Sequence, residues 1–282
     1  MKELGYYNGR IGELSEMQVP MSDRASWFGD GVYDAELCRN YHIFCLDEHV
    51  DRLFRSASML DITPPVSKEE LKEILRDLVR KMDTGDLFVY YQITRGGGKR
   101  THAFPEGKAN LWVTLTPRKP GGDKTPVAAV TTEDTRFLHC NIKTLNLIPS
   151  VMAAEKAKRA GAYESIFYRA PDRVTEGAHS NVHILKDGEF HTAPLDNLIL
   201  PGTVRAHLIA ACRRLGIPVY ETPFTLEELR NADEIFVTNS GDLMKRVGRL
   251  DGKEAGLQSP ALFEALHKEL FDEFYEETGG KD

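Results

Sequence analysis

The apolar residues of the chain follow two kinds of spacing, one typical of helices and one typical of strands. In residues 46–60 they recur every three or four positions, which predicts an amphipathic helix capped by Asp47. Residues 67–82 repeat this spacing behind Ser67-x-x-Glu70, which has the form of a capping box, and predict a second helix. Strands are predicted for short apolar and β-branched runs at 32–39, 87–94, 110–116 and 127–132.

Turn-forming pairs predict how some of these elements are joined. Asn8-Gly9 lies between two short alternating runs and predicts a hairpin. Asp187-Gly188 predicts a second turn between two strands, and a helix is expected from about Thr203 until Gly216 stops it. Because helices and strands mix irregularly, we expect an α+β (mixed α/β) fold rather than a regular βαβ sheet.

The segment TPRKPGGDKTP, residues 116–126, gathers three prolines and two glycines without periodicity. Such a composition is typical of a linker between domains. A chain of 282 residues is also long enough for two domains. We therefore expect one domain at residues 1–117, a linker at 118–124 and a second domain at 125–282.

Composition excludes several classes of function. A net charge of −7 without long single-sign blocks argues against nucleic-acid binding. No apolar run approaches the roughly 20 residues that span a bilayer, and no signal peptide is recognised, so we expect a cytoplasmic protein. The cysteines, Cys38, Cys45, Cys140 and Cys212, lack C-x-x-C spacing, which predicts reduced, mostly buried thiols and no metal site.

Lys143 is the one cation in CNIKTLNLIPS, residues 140–150. Most lysines in such a setting are solvated surface residues, because lysine is almost never buried unpaired. A lysine partly withdrawn from water instead loses proton affinity, and its neutral amine can form a Schiff base with an aldehyde. The natural aldehyde is pyridoxal phosphate, which also needs a carboxylate at its ring nitrogen and donors for its phosphate.

Three other segments offer such groups, although each has an ordinary structural explanation. Glu176 is predicted at the start of a strand, where Glu-Gly alone would be a turn. Pro201-Gly202-Thr203 opens the predicted helix, and free N–H groups at a helix start can bind phosphate. EIFVTNSG, residues 234–241, ends a strand in hydroxyl and amide groups, which suit either a turn or a phosphate clamp.

Seven segments, taken together and in order, resemble the class IV pyridoxal-phosphate aminotransferases, and among them the bacterial D-amino acid aminotransferases. They are FGDGVYD, HVDRLFRSA, TRGGGKRTHAFPE, CNIKTLNL, TEGAHSNV, LILPGTVR and FVTNS. The resemblance implies a smaller N-terminal and a larger C-terminal α/β domain, with the cofactor in the cleft between them. It also implies a homodimer.

The resemblance assigns the cofactor residues. Lys143 would carry the Schiff base and move the substrate's α-proton, and Glu176 would pair with the ring nitrogen. Arg52 would bind the phosphate, although a solvated partner of a nearby carboxylate is its ordinary interpretation. The remaining cofactor contacts would be Leu200 against the ring, and the backbone N–H groups of Thr203 and Val204 with Ser240 at the phosphate.

Substrate selection is assigned to a tyrosine and a loop. In D-amino acid enzymes an arginine and a histidine two positions apart reach the neighbouring subunit's site and join a tyrosine in holding the α-carboxylate. Tyr33, Arg100 and His102 match this arrangement. His179 and Ala35 depart from some relatives near the cofactor and the substrate side chain, and the sequence does not convert either into a preferred substrate.

The expected activity is therefore transfer of an amino group from a D-amino acid such as D-alanine to a 2-oxo acid such as 2-oxoglutarate. Branched-chain L-amino acid aminotransferases, (R)-amine transaminases and aminodeoxychorismate lyases share the fold and stay open as alternatives. A distant alternative is a nucleotide-binding module, because GGGKRT faintly resembles a P-loop. Ile93 occupies the first glycine position and Arg100 follows Lys99, so the P-loop pattern fails.

Overall fold

The structure, a computed structural model, describes residues 2–279 as two compact units. The first comprises residues up to Pro120, Ile142–Asn146 and the residues from Phe274 onward. The second comprises Gly121–Asn141 and Leu147–Glu273. The chain changes unit next to the predicted linker, but it also returns twice to the first unit, which a single cut at 118–124 does not describe.

Backbone pairing and aromatic packing explain why the chain returns to the first unit. Residues 142–146 run beside a strand of that unit, with an isolated antiparallel bridge between Thr144 and Val32. Near the C-terminal end, the Phe274 ring packs edge-on against Phe44 at 5.1 Å. The two later segments are thus held by pairings that are distant in sequence.

The first unit contains one antiparallel sheet with the strand order β2-β1-β6-β5-β3-β4. The Asn8-Gly9 hairpin is confirmed: both residues have positive φ, and the pairing puts Tyr7 opposite Arg10. Its strands are β1 (Leu4–Tyr7), β2 (Arg10–Glu13), β3 (Gly31–Arg39), β4 (His42–Ile43), β5 (Leu87–Thr94) and β6 (Asn110–Pro117).

The helices of this unit are α1 (Ala25–Phe28), α2 (Leu46–Met59) and α3 (Lys68–Val79), and a 3-10 turn spans Leu14–Glu16. Two of them, α2 and α3, contribute apolar side chains to the same core as the sheet. Ser67 and Glu70 form the predicted capping box of α3. The Asp47 cap is wrong: Cys45 is the N-cap of α2, and its N–H donates to Glu277 Oε1 at 2.7 Å.

The second unit contains a mixed sheet with the order β12-β11-β10-β13-β14-β7-β8-β9, and β15 pairs with β14. The Asp187-Gly188 turn is confirmed between antiparallel strands. The strands are β7 (Val127–Glu133), β8 (Glu164–Arg169), β9 (Arg173–Gly177), β10 (Asn181–Lys186), β11 (Glu189–Thr192), β12 (Val219–Glu221), β13 (Glu234–Asn239), β14 (Leu243–Leu250) and β15 (Lys253–Glu254).

Both parallel and antiparallel pairs occur in this sheet, because β7 is parallel to β8 and to β14 while β8 and β9 are antiparallel. The α+β prediction is confirmed. Glu176 lies near the end of β9 rather than at the start of a strand, because β9 begins at Arg173. The helices are α4 (Ile148–Arg159), α5 (Thr203–Arg214), α6 (Leu226–Arg230) and α7 (Pro260–Glu277).

Three properties of residues 2–279 bear on the class of protein. None of the helices in this range has both the length and the apolar character needed to cross a membrane. No group of three or more His, Cys, Asp or Glu side chains in the same range is placed to hold a metal ion. Cys38, Cys45, Cys140 and Cys212 are buried thiols, as predicted.

Candidate active site

Lys143 lies in the first unit, on the segment that runs beside the start of β3. Its carbonyl accepts a hydrogen bond from the Tyr33 N–H at 2.9 Å, and its own N–H donates to Ser56 Oγ at 3.2 Å. Gly31 makes this approach possible, because a Cβ there would lie 2.8 Å from the side chain of Leu145. The backbone of Lys143 is therefore fixed by β3 on one side and α2 on the other.

The side chain of Lys143 is half-buried, and its Nζ lies 4.3 Å from the centre of the Tyr33 ring. Tyr33 stacks on Tyr90 with ring centres 5.4 Å apart, and Tyr90 donates to Gln92 Oε1 at 2.8 Å. The stack limits the freedom of the Tyr33 ring. Lys143 and Tyr33, both predicted from sequence, thus lie against one another with an amine over an aromatic face.

Arg52 is buried rather than solvated, and it forms a bidentate pair with Asp34 of β3. Nε lies 2.9 Å from Oδ2 and Nη2 lies 2.6 Å from Oδ1. His49 Nδ1 lies 2.8 Å from the same Oδ1, because residues 49 and 52 share one face of α2. Burial opposes ionisation of Asp34, but the charges of Arg52 and His49 and their hydrogen bonds lower its pKa below the usual range.

Glu36 lies on the same face of β3 as Asp34 and is fully buried. Burial and the charge of Asp34 raise the pKa of Glu36 well above its usual value, although a hydrogen bond from Tyr91 opposes this. Tyr91 Oη donates to Oε2 at 3.3 Å, while Oε1 has no partner. The first unit therefore buries an ionised carboxylate beside a carboxyl group that resists ionisation.

Arg100 and His102 lie in an exposed loop of the first unit, around the ring of Phe28. The Arg100 guanidinium is 5.4 Å from the Phe28 ring centre, and the His102 ring is 5.5 Å from it. Arg24 anchors the backbone of this loop, because its Nη1 donates to the Thr101 carbonyl at 2.6 Å. The structure therefore gathers Arg100 and His102 on one loop, which Arg24 anchors.

Arg24 is itself fixed by Asp30, whose carboxylate accepts from Arg24 Nε at 2.7 Å. The Nε of Arg95 donates to the same carboxylate at 3.0 Å.

Residues 95–109 form no helix, and a P-loop needs one directly after its Lys-Ser or Lys-Thr pair. The nucleotide-binding alternative therefore lacks the required local structure.

Glu176 lies in the second unit at the end of β9, buried and surrounded by donors. Arg136 Nη1 donates to its Oε1 at 2.5 Å, and Oε2 accepts from Asn181 Nδ2 at 3.1 Å and from the Leu200 N–H at 2.9 Å. Burial raises the pKa of Glu176 to about 7 in spite of the positive charge of Arg136. Another cation beside this carboxylate would favour its ionised form.

Asn181 joins the Glu176 carboxylate to the start of α5. Besides Glu176, its Nδ2 donates to the Leu200 carbonyl at 2.9 Å. A Cβ on Gly202 would lie 2.0 Å from Asn181 Oδ1, so any larger residue at this N-cap would have to displace Asn181 or the helix start. The helix has no side-chain cap, which leaves the N–H groups of its first residues, Thr203 and Val204, for another acceptor.

Ser240 lies in the turn after β13, in the same unit. Asn239 shapes this turn, because its Oδ1 accepts from the backbone N–H groups of Gly241 and Asp242, both at 2.8 Å. Of the predicted site residues, the second unit therefore holds Glu176, Leu200, Thr203, Val204 and Ser240, and the first holds Tyr33, Arg52, Arg100, His102 and Lys143.

Sequence reasoning missed several side chains that orient these groups. Asp34, Arg136 and Asn181 each contact a predicted site residue directly. Asp34 carries a signal in the sequence, because a charged residue in a strand that reads as buried needs a partner. Arg136 has only the spacing Asp134-x-Arg136, which is too common to identify it.

Known proteins resemble this chain over most of its length. The family model described as amino-transferase class IV matches residues 31–250. A D-alanine aminotransferase of Listeria monocytogenes is 37% identical over 280 residues, covering 96% of this chain and 96% of the relative. One of Bacillus licheniformis is 38% identical over 259 residues, covering 90% of each.

Solved structures share the fold at lower identity. A branched-chain amino acid aminotransferase of Escherichia coli has a TM-score of 0.90 and 24% identity, and covers 100% of this chain and 97% of that one. A protein described as a putative 4-amino-4-deoxychorismate lyase of Legionella pneumophila has a TM-score of 0.82 and 23% identity, with 90% and 94% covered. Identities this low show the fold alone.

Proposed function

Because the chain belongs to the class IV aminotransferase family, we propose that Lys143 and Glu176 serve the pyridoxal phosphate that this family uses. The enzyme is a D-amino acid aminotransferase, as its curated relatives at 35–38% identity are D-alanine aminotransferases. It transfers an amino group from a D-amino acid such as D-alanine to a 2-oxo acid such as 2-oxoglutarate. One observation supports the residue assignment: the surroundings of both side chains are fixed. Lys143 Nζ lies 4.3 Å from the centre of the Tyr33 ring, and the buried Glu176 carboxylate accepts from Arg136, Asn181 and Leu200.

The second unit fits the ring and phosphate of the cofactor. A protonated ring nitrogen is a cation, and it would satisfy a buried Glu176 whose pKa is raised to about 7. The uncapped start of α5 would hold the phosphate through the Thr203 and Val204 N–H groups, with Ser240 as a further donor. Leu200 would pack against the ring while its N–H orients Glu176.

The first unit supplies the residues proposed to act at the bond-making end of the cofactor and on the substrate. When bound, pyridoxal phosphate supplies a ring that accepts the electron pair left behind when the substrate loses its α-proton. Lys143 Nζ would hold the cofactor through a Schiff base and, once the substrate amine has displaced it, would carry that proton between the substrate Cα and the cofactor C4′. Tyr33 lies 4.3 Å from Nζ and restricts where the amine can move. Arg52, oriented by Asp34, would contribute to phosphate binding.

The substrate carboxylate would be held by Tyr33 with Arg100 and His102 of a neighbouring subunit. This arrangement requires a homodimer, which is part of the proposal. Support for an assembly comes from α4, where Ile148, Val151 and Met152 share one helix face and stay 74%, 57% and 66% exposed. A cytoplasmic location stays a prediction.

Borohydride reduction of the protein loaded with pyridoxal phosphate, followed by peptide mapping, tests the central assignment. The pyridoxyl label is expected on Lys143, and a label on any other lysine overturns the assignment. D-alanine should release pyruvate in a single turnover. A faster single turnover with L-leucine than with D-alanine would move the enzyme to the branched-chain alternative, and release of pyruvate from aminodeoxychorismate without an acceptor would make it a lyase.

A further inference from the structure

We propose that His179 binds the side-chain carboxylate of dicarboxylic substrates such as D-glutamate and 2-oxoglutarate, and so determines specificity at the site assigned above. The proposal rests on the proposed function, because it gives one residue of the second unit a role toward a substrate of that reaction. His179 is a candidate cation for a second carboxylate.

His179 occupies the tip of the tight connection between β9 and β10. The Gly177 N–H donates to the Ser180 carbonyl at 2.6 Å, so only Ala178 and His179 lie between the two bonded residues. A Cβ on Gly177 would lie 2.2 Å from Ser180 Oγ, so the turn has no room for a larger residue there. The backbone of this turn is therefore fixed, with His179 three residues after Glu176.

Contacts inside the second unit place this tip beside the turn that carries Ser240. The His179 ring packs on the Tyr163 ring at 5.6 Å. Tyr163 Oη donates to Asp242 Oδ2 at 2.8 Å and accepts from Asn239 Nδ2 at 2.9 Å. Since Asn239 and Asp242 lie on either side of Ser240 in the sequence, the Tyr163 ring links His179 to the turn that carries a group assigned to the phosphate.

A buried carboxylate favours the protonated form of this imidazole. His179 Nδ1 lies 3.0 Å from Oε2 of Glu164, whose side chain is fully buried while that of His179 is 49% exposed. Burial opposes ionisation of Glu164, but hydrogen bonds from His179 and Ser180 and the charge of His179 lower its pKa. Oε1 of Glu164 also accepts from the Ser165 N–H at 2.7 Å. Glu164 thus stays ionised, and a carboxylate at this distance favours the protonated imidazole, whose exposed half can meet an anion.

The distal carboxylate is a better match for this cation than the cofactor phosphate. The start of α5 and Ser240 already offer donors to a phosphate. Arg100, His102 and Tyr33 of the first unit are assigned to the α-carboxylate, which leaves the second carboxylate of a dicarboxylic substrate without an assigned partner. His179 adds a cation that D-alanine does not need and that D-glutamate does.

The test compares His179→Gln and His179→Ser, which remove the charge, with His179→Lys, which keeps one. The steady-state kcat/KM is measured for D-glutamate and for D-alanine, and glutarate binding is measured by calorimetry. The ratio of D-glutamate to D-alanine should fall about tenfold in the uncharged variants, mainly through KM, and His179→Lys should restore most of it. The dissociation constant of glutarate should rise by a similar factor. His191→Gln, which removes another histidine of the second unit, should change neither.

Three results would overturn the proposal. The ratio and the glutarate affinity could stay within twofold of wild type in every His179 variant. Affinity for pyridoxal phosphate could instead fall in the uncharged variants with the ratio unchanged, which would assign the charge to the phosphate. Failure of His179→Lys to restore glutarate binding would show that shape rather than charge is read. If wild-type enzyme did not react with D-alanine at all, the proposed function would fail, and glutarate calorimetry would still decide the role of His179.

Discussion

The guanidinium of Arg52 holds both carboxylate oxygens of Asp34 in the interior of the first unit, at 2.6 Å and 2.9 Å. Asp34→Asn should destabilise the protein by about 3–5 kcal/mol, because it leaves a buried guanidinium without its counter-charge. The exposed pair of Asp51 and Lys68 is the control, and Asp51→Asn should cost less than about 1 kcal/mol. Urea unfolding of the cofactor-free protein measures both. Similar losses in the two variants would contradict this view of the buried pair.

Glu36 gives stability a distinct dependence on pH. The pKa of Glu36 in the folded protein is raised well above the ordinary value of 4.5. Below pH 4.5 the side chain is neutral in both the folded and the unfolded protein, and its contribution to stability is then complete. As pH rises toward the folded-state pKa, the unfolded chain loses the proton first and stability falls. Glu36→Gln should therefore flatten the decline in stability that begins above pH 4.5, and make the protein more stable than wild type at the upper end of that decline.

The comparison is made between variants, since Glu176 contributes a decline of the same sign as pH rises toward about 7. Glu73→Gln on the exposed face of α3 is the matched control. Its unfolding profile should superimpose on that of wild type. A Glu36→Gln profile that keeps the wild-type slope would show that burial does not hold Glu36 neutral.

Glu176→Gln should lower D-alanine turnover about 100-fold or more, because a neutral amide cannot stabilise a cationic ring nitrogen. The Asn181 and Leu200 donors would still find one amide oxygen, so the fold should persist and thermal unfolding should stay cooperative. Glu155→Gln on α4, at a site that is 44% exposed, should leave turnover within twofold. Unimpaired turnover in Glu176→Gln would assign the ring nitrogen to another residue.

Arg24→Ala should raise KM for D-alanine about tenfold with a smaller change in kcat, because the loop of Arg100 and His102 loses its anchor at Thr101. Steady-state kinetics of both half-reactions separate the two constants. Arg76→Ala, on the exposed surface of α3, is the control for loss of an arginine. A fall in kcat at unchanged KM would show that Arg24 acts elsewhere than on carboxylate binding.

Local chemistry made part of the fold predictable. The capping box of Ser67 and Glu70 formed as expected, since it depends on residues three positions apart. The Asp47 cap failed, because Cys45 takes the N-cap and donates to Glu277, a partner no local pattern can reveal. Helix and strand positions were thus accessible where the deciding contacts are near in sequence.

The site shows the same limit. Lys143 and Glu176 could be singled out because their residue types match a chemistry. Their orienting partners are much harder to find, since Arg136 lies 40 positions before Glu176 and depends on the fold to reach it. Asp34 and Glu36 alternate within a strand whose other residues are mostly apolar, and a charged residue there needs a partner, but this pattern does not identify Arg52 as that partner.

Gly202 lies so close to Asn181 that the backbone leaves no space for a side chain between them. A Cβ there would lie 2.0 Å from Asn181 Oδ1 and 3.4 Å from the Arg205 side chain. Gly202→Ala must therefore displace Asn181, which holds Glu176 and the Leu200 carbonyl, or move the start of α5. Either movement disturbs the ring carboxylate and the N–H groups assigned to the phosphate together.

The expected result for Gly202→Ala is a loss of affinity for pyridoxal phosphate of at least tenfold, with a loss of stability of about 1–3 kcal/mol from overpacking. Fluorescence titration of the cofactor-free protein and urea unfolding measure the two effects. Gly12→Ala is the control, because a Cβ there would meet only the flexible Met17 Sδ, at 3.3 Å. Wild-type cofactor affinity in Gly202→Ala would mean that Asn181 can move without consequence, and its assigned link between Glu176 and α5 would be wrong.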